Sequence, residues 1–205
     1  QYQFTGDTGP MRMHFEAMKR YFAYLESRTR DGLLHDGLGD WYDLLLGKKR
    51  PAGLTPAPIT ATAFLYYGAV MLSRIAALLG HDGDAHEYAT RAEGIRARYN
   101  EAFLKTSPTV SYGTDSQCSL ALPLVMGIVP EEHRAAVLEA LVRDVEERRY
   151  ATAGDIGFRY MLQALAQAGR SDVIYALINQ DELLGYGYQL KMGATALTES
   201  WDASR

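Results

Sequence analysis

Apolar residues recur at every third or fourth position over long stretches of this chain. Phe15, Met18, Phe22 and Leu25 form one stripe. Ala63, Tyr66, Tyr67, Val70, Leu72, Ile75, Ala76 and Leu79 form a second, too broad for a helix with one fully exposed side. Val137, Leu138, Leu141 and Val145 make a third, and Tyr160, Met161, Leu165 and Ala168 a fourth. The period is helical rather than the alternation of a strand. It predicts helices over residues 8–28, 58–79, 84–103, 115–126, 131–147, 155–168, 171–179 and 192–200.

Punctuation residues fall between these stripes. Glycine follows an apolar run at Leu79-Gly80, Ala168-Gly169 and Leu184-Gly185, where a left-handed cap suits it. Pro130 with Glu131 and Glu132 reads as a helix start, with acids facing the helix dipole. Thr114 and Asp115 read as caps of the 115–126 helix. Residues 30–57 read as a loop with a short helical turn, because Gly, Asp and Pro interrupt them; 104–114 and 180–191 read as further loops. No strand pattern extends far enough to build a sheet. Nothing resembles a linker, so residues 1–205 read as one domain. Helices joined by tight connections imply stacked hairpins, either a solenoid or a toroid. The absence of a strict repeat favours a toroid of non-identical pairs.

Composition removes some functions. A net charge of −4 offers no electrostatic reason to expect nucleic acid or an anionic membrane as partner. No apolar run reads as long enough to span a bilayer. Cys118 is the single cysteine, so no internal disulfide is possible. Its neighbours Leu120 and Leu122 make it a buried small hydrophobe rather than a nucleophile. The chain opens on Gln1 without a signal-peptide pattern, and reads as an interior piece of a longer protein. Its compartment stays open between the bacterial cytoplasm and the periplasm or exterior.

There is no phosphate-binding glycine loop and no H-E-x-x-H, and the five histidines do not pair at metal-ligand spacing, so neither metal nor cofactor is expected. Carboxylates beside aromatic residues remain. In Gly37-Leu38-Gly39-Asp40-Trp41-Tyr42-Asp43, Trp41 offers a face for a sugar ring and Asp40 an acceptor for hydroxyls. On those residues alone the plainer reading is that Trp41 plugs the loop into the core and Asp40 is a helix N-cap. In Gly193-Ala194-Thr195-Ala196-Leu197-Thr198-Glu199-Ser200-Trp201-Asp202, hydroxyl and amide donors can keep Glu199 ionised. On those residues alone, an ordinary helix-surface glutamate is the plainer reading. Tyr112–Gln117 and Thr152–Gly157 each open a helix with polar groups, and such ends can gather at one mouth of a toroid.

Taken in order, these segments resemble the catalytic domain of bacterial α-L-rhamnosidases, glycoside hydrolase family 78. The resemblance runs from Phe4-Thr5-Gly6-Asp7 through Met18-Lys19-Arg20-Tyr21, Gly37–Asp43, Leu54-Thr55-Pro56, Tyr112–Gln117 and Thr152–Gly157 to Gly185–Gln189 and Gly193–Asp202. It implies an all-α (α/α)6 barrel, of which this chain holds about eight of the twelve helices. It implies hydrolysis of terminal α-L-rhamnosides with inversion, in which one carboxylic acid protonates the leaving oxygen and another carboxylate activates water.

By resemblance Glu199 is the general base, and Asp40 and Trp41 belong to a loop contacting the sugar. Asp43, Gln117 and Tyr186 fall at the pocket rim, and Trp201 beside the base is a further sugar contact. The substrate implied is a rhamnose-containing glycoside, oligosaccharide or polysaccharide. Two departures stand out. Thr198 and Ser200 replace the aromatic and the arginine that flank the family's catalytic glutamate, which leaves room for another sugar preference. The family's general acid and a pocket histidine lie outside residues 1–205. The fragment alone is therefore expected to be inactive, and to self-associate through an open barrel edge. Asp155 and Asp115 are not assigned the acid role. The alternatives are another glycosidase or a polysaccharide lyase on the same barrel, or a carbohydrate-binding remnant without chemistry.

Overall fold

The computed structural model describes residues 2–44 and 53–202. Of the described residues, 63% are helical, as the periodicity implied. Among the described residues the helices are α1 (Tyr2–Thr5), α2 (Gly9–Ser27), α3 (Ala57–Leu79), α4 (Asp82–Phe103), α5 (Gln117–Met126), α6 (Glu131–Arg148), α7 (Gly157–Gln167), α8 (Ser171–Ile178) and α9 (Tyr186–Lys191). Two antiparallel ribbons of two residues a side interrupt them: β1 (Thr29–Arg30) with β2 (Leu33–Leu34), and β3 (Leu104–Lys105) with β4 (Ser111–Tyr112).

The helices pair as hairpins: α3 packs on α4, α5 on α6 and α7 on α8. The first members also pack on one another, α3 against α5 and α5 against α7, so they form an inner layer with α4, α6 and α8 outside. Burial follows this layering. In α5, Leu120, Ala121, Leu122 and Leu124 are all buried, whereas α4 buries Tyr88, Ala92 and Tyr99 along one side. Helix α2 lies on α3, and Lys19 of α2 reaches Asp84 of α4 at 3.0 Å. Arg91 of α4 answers with an ion pair to Glu26 of α2.

Most boundaries fall within two residues of those expected, and the exceptions have local causes. The expected 192–200 helix is absent: α9 ends at Lys191, Gly193 turns left-handed at φ 85°, and turns follow. There Thr198 Oγ1 donates to the Ser200 carbonyl and Ser200 Oγ to Asp202, so side chains compete with helical bonding. Residues 186–191, expected as loop, are helical because Tyr186 is anchored on Phe158 and Trp201. Helix α5 is capped by Ser116, whose hydroxyl accepts from Ser119 N–H, not by Thr114 or Asp115. Gly80 and Gly169 adopt the left-handed conformation expected of them, but Gly185 is extended at φ 166°.

At 23 residues and a mean hydropathy of 1.5 over its most apolar window, α3 is long and apolar enough to cross a membrane, contrary to expectation. Neighbours cover part of this apolar surface, since α2, α4 and α5 all pack on it, and part stays open. Residues 45–52 of the expected 30–57 loop lie outside the described residues.

Candidate functional site

The inner helices α3, α5 and α7 all begin at the same end of the molecule, and the loops leading into them are tied together there. Thr55, just before α3, shares a 2.7 Å hydrogen bond with Ser116, the cap of α5. Gln117, the first residue of α5, is fully buried and spans to the segment before α7. Its amide oxygen accepts from Thr152 N–H at 2.7 Å and Ala153 N–H at 3.2 Å, while its amide nitrogen donates to Asp144 and the Tyr150 carbonyl.

Asp40 is fully buried in this network. Its carboxylate accepts from the backbone N–H groups of Gly154 at 2.8 Å, Ile156 at 3.1 Å and Gly157 at 2.8 Å. The last two belong to the opening of α7, whose own cap residue Ile156 offers no side-chain acceptor. Asp40 is thus a helix cap supplied from a distant part of the chain, where the helix dipole favours negative charge. Asp43 does similar work, accepting from Leu54 N–H at 2.9 Å and Thr55 N–H at 2.6 Å. Burial pushes both carboxyls above the usual aspartate value, and the backbone donors pull the other way. Cys118 is buried beneath Asp40, and its thiol is pushed well up, chiefly by burial.

Two glycines make this closeness possible. A Cβ on Gly154 would stand 1.9 Å from the Trp41 carbonyl oxygen. One on Gly157 would stand 2.5 Å from both Asp40 Oδ2 and Cys118 Cβ. The 40–44 segment therefore lies flush against 152–157. Asp155 N–H donates to the Trp41 carbonyl and Leu44 N–H to the Thr152 carbonyl, each at 2.8 Å.

Above this floor opens a cleft of about 200 Å³, lined among others by Tyr42, Asp155, Arg159, Gln189 and Glu199. Phe158, Tyr186 and Trp201 form its aromatic wall. Their ring centroids lie 4.9 Å (Phe158–Trp201), 5.3 Å (Tyr186–Trp201) and 6.1 Å (Phe158–Tyr186) apart, all edge to face. The Trp201 indole N–H is satisfied by the Ala153 carbonyl at 3.0 Å, which fixes the ring beside the buried network. Glu199 is exposed within the cleft, on a turn rather than a helix face. The Tyr42 phenol stands against it, and that neighbouring carboxylate raises the phenol above its usual range.

The structure thus brings together Glu199, Tyr186 and Trp201 of the residues singled out from sequence. Asp40, Asp43 and Gln117 lie in the network beneath them, with their polar atoms turned to protein. Trp41 is half-buried and does not line the cleft; its ring meets that of Tyr42 at 5.6 Å. Sequence reasoning passed over Tyr42, Phe158, Arg159 and Gln189. No local pattern marks Tyr42, which is flanked by residues that look more chemical than it does.

The sequence model of the bacterial alpha-L-rhamnosidase six-hairpin glycosidase domain matches residues 1–205. An α-L-rhamnosidase of Streptomyces avermitilis is 30% identical over 205 residues, covering 98% of this chain and 19% of that protein. One of Formosa agariphila is 24% identical, covering 98% of this chain and 22% of its own length. Among solved structures, the α-L-rhamnosidase from Dictyoglumus thermophilum superposes with a TM-score of 0.88 at 31% identity, over 96% of this chain and 22% of that one. The Streptomyces avermitilis enzyme complexed with L-rhamnose superposes with a TM-score of 0.85 at 28% identity, over 98% of this chain and 19% of that one. The chain spans about a fifth of the length of these relatives.

Proposed function

The chain belongs to the bacterial α-L-rhamnosidase six-hairpin glycosidase family, and on that premise we propose that the protein carrying it removes terminal α-L-rhamnose by inversion, with Glu199 as the general base. One observation carries this reading: an exposed glutamate stands in a cleft whose wall is three packed aromatic rings. Aromatic rings stack on the apolar face of a sugar, and a carboxylate on the same wall is placed to act on a water beside it. The complex of a relative with L-rhamnose supports the choice of sugar.

In the step itself, water attacks the anomeric carbon as the bond to the leaving oxygen breaks. The water's proton goes to Glu199, and the leaving oxygen takes one from a general acid on the opposite face of the ring. Acid and base in such a pair stand roughly 6.5–9.5 Å apart. Asp155 also lines the cleft, but the family resemblance puts the general acid outside residues 1–205. The acid is therefore assigned to the rest of the protein, and residues 1–205 alone are expected to be inactive. Tyr186 and Trp201 form the sugar platform. Asp40, Asp43, Gln117 and Trp41 act indirectly, by holding the loops that shape the cleft.

The test is Glu199→Gln in the full-length protein with an aryl α-L-rhamnoside. Loss of about a thousandfold or more in kcat is expected, with β-rhamnose as the first-formed anomer of the wild-type reaction by NMR. Turnover unchanged in the variant overturns the assignment.

A further inference from the structure

Tyr42 is the one aromatic residue with a left-handed backbone among those described, at φ 58°. A bulky side chain there is strained, and such strain persists only where the surroundings impose it. The surroundings are on both sides. Asp43 N–H donates to the Asp40 carbonyl at 3.0 Å, closing a tight turn around Tyr42, and the bonds from Asp155 and Leu44 lock the flanks at 2.8 Å. The turn aims the phenol into the cleft that Glu199 lines. The Trp41 ring meets the Tyr42 ring edge to face at 5.6 Å, and the phenol and Glu199 line the same cleft.

Glu199 needs such a partner. It is exposed and carried on a turn, and an exposed glutamate samples several rotamers. A general base has to stay within hydrogen-bond reach of the water it deprotonates. We propose that Tyr42 is a positioning residue for Glu199: its hydroxyl donates to one carboxylate oxygen and leaves the other free to take the proton from water. The inference rests on the assignment of Glu199 as base. A tyrosine phenol is protonated, and therefore a donor, across the neutral range, and the Glu199 carboxylate beside it pushes its pKa further up.

The test uses the full-length protein with Tyr42→Phe, Tyr42→Gly and Glu199→Gln. Tyr42→Phe is expected to lower kcat on the order of tenfold to a hundredfold, with KM changed by less than about threefold. The acid limb of its kcat profile moves to higher pH, because the carboxylate loses a donor that favours its charged form. Tyr42→Gly should lose as much activity while melting no lower than wild type, since glycine accepts the left-handed backbone without strain. A purely structural role predicts the reverse for glycine: activity kept wherever stability is kept. Wild-type kcat with an unmoved acid limb in Tyr42→Phe, or a loss confined to KM, overturns the proposal while an inactive Glu199→Gln leaves the base assignment standing. Should Tyr42→Phe melt early, wild-type kcat in Tyr42→Gly overturns it instead. An active Glu199→Gln removes the underlying reading, whatever Tyr42 does.

Discussion

Asp40 reaches across 114 residues of sequence to Gly154 and slightly further to Gly157. Three backbone donors depend on it, and none has another partner at hand in the buried site. Asp40→Ala is expected to cost about 3 kcal/mol or more, because each buried donor left unmade costs roughly 1–3 kcal/mol. Urea unfolding of the full-length protein measures it. The same carboxylate gives stability a pH dependence. The folded values of Asp40 and Asp43 are raised above 3.8, mainly by burial. Between the ordinary value and the raised ones, the folded chain holds protons that the unfolded chain has released. Their contribution to stability therefore falls as pH rises through that window and is level above it. Asp36 and Asp172, held down by hydrogen bonds from Arg28 and Arg170, have the opposite sign and act below 3.8. Unfolding free energy followed across this range should fall less steeply above 3.8 in Asp40→Asn, with Asp43 supplying the remaining slope. An unchanged slope in that variant would assign the dependence to other groups.

At the scale of elements, α5 and α7 approach closely because α7 begins with a glycine. Gly157→Ala places a methyl 2.5 Å from the Cys118 Cβ and from the Asp40 carboxylate at once. Overpacking of this kind costs typically about 1–3 kcal/mol, and here it also strains the cap of α7. A thermal melt several degrees below wild type is expected, and an unshifted melt would show that the helices can part without cost. The elements themselves were legible where their signals are local. The stripes of α2, α3, α6 and α7 set those helices to within two residues, and Gly80 ends α3 as expected. Legibility failed near the end of the chain. The 192–200 stretch looks helical by composition, but Thr198 bonds the Ser200 carbonyl and Ser200 the Asp202 carboxylate. Helix α9 has too few apolar positions to show a period, and it forms against an aromatic cluster that sequence cannot assemble.

At the scale of the whole molecule, there is apolar surface that none of the described residues covers. A groove of about 540 Å³ runs between α2, α3 and the 36–39 segment, lined by Met18, Phe22, Leu25, Phe64, Met71 and Ile75. Tyr21, Leu38 and Phe64 are exposed along it. Contiguous exposed apolar surface favours association. Residues 1–205 produced alone are expected to self-associate and bind a hydrophobic dye, as read by light scattering and fluorescence. A monodisperse monomer that binds no dye would count against an uncovered barrel edge. Sequence by itself determined the helical class, the order and length of most helices, and the ordered motifs that resemble one family. Those are properties of neighbours a few positions apart, and helical period and capping are short-range effects. Tertiary structure alone decided which carboxylates are used up. Asp40 and Glu199 look alike in sequence, each beside a tryptophan and small residues. One is buried and saturated by donors more than a hundred residues away, and the other stands open in a cleft facing Tyr42. Burial and partnership at the ends of the inner helices arise from packing three hairpins together, and no window of sequence contains all three.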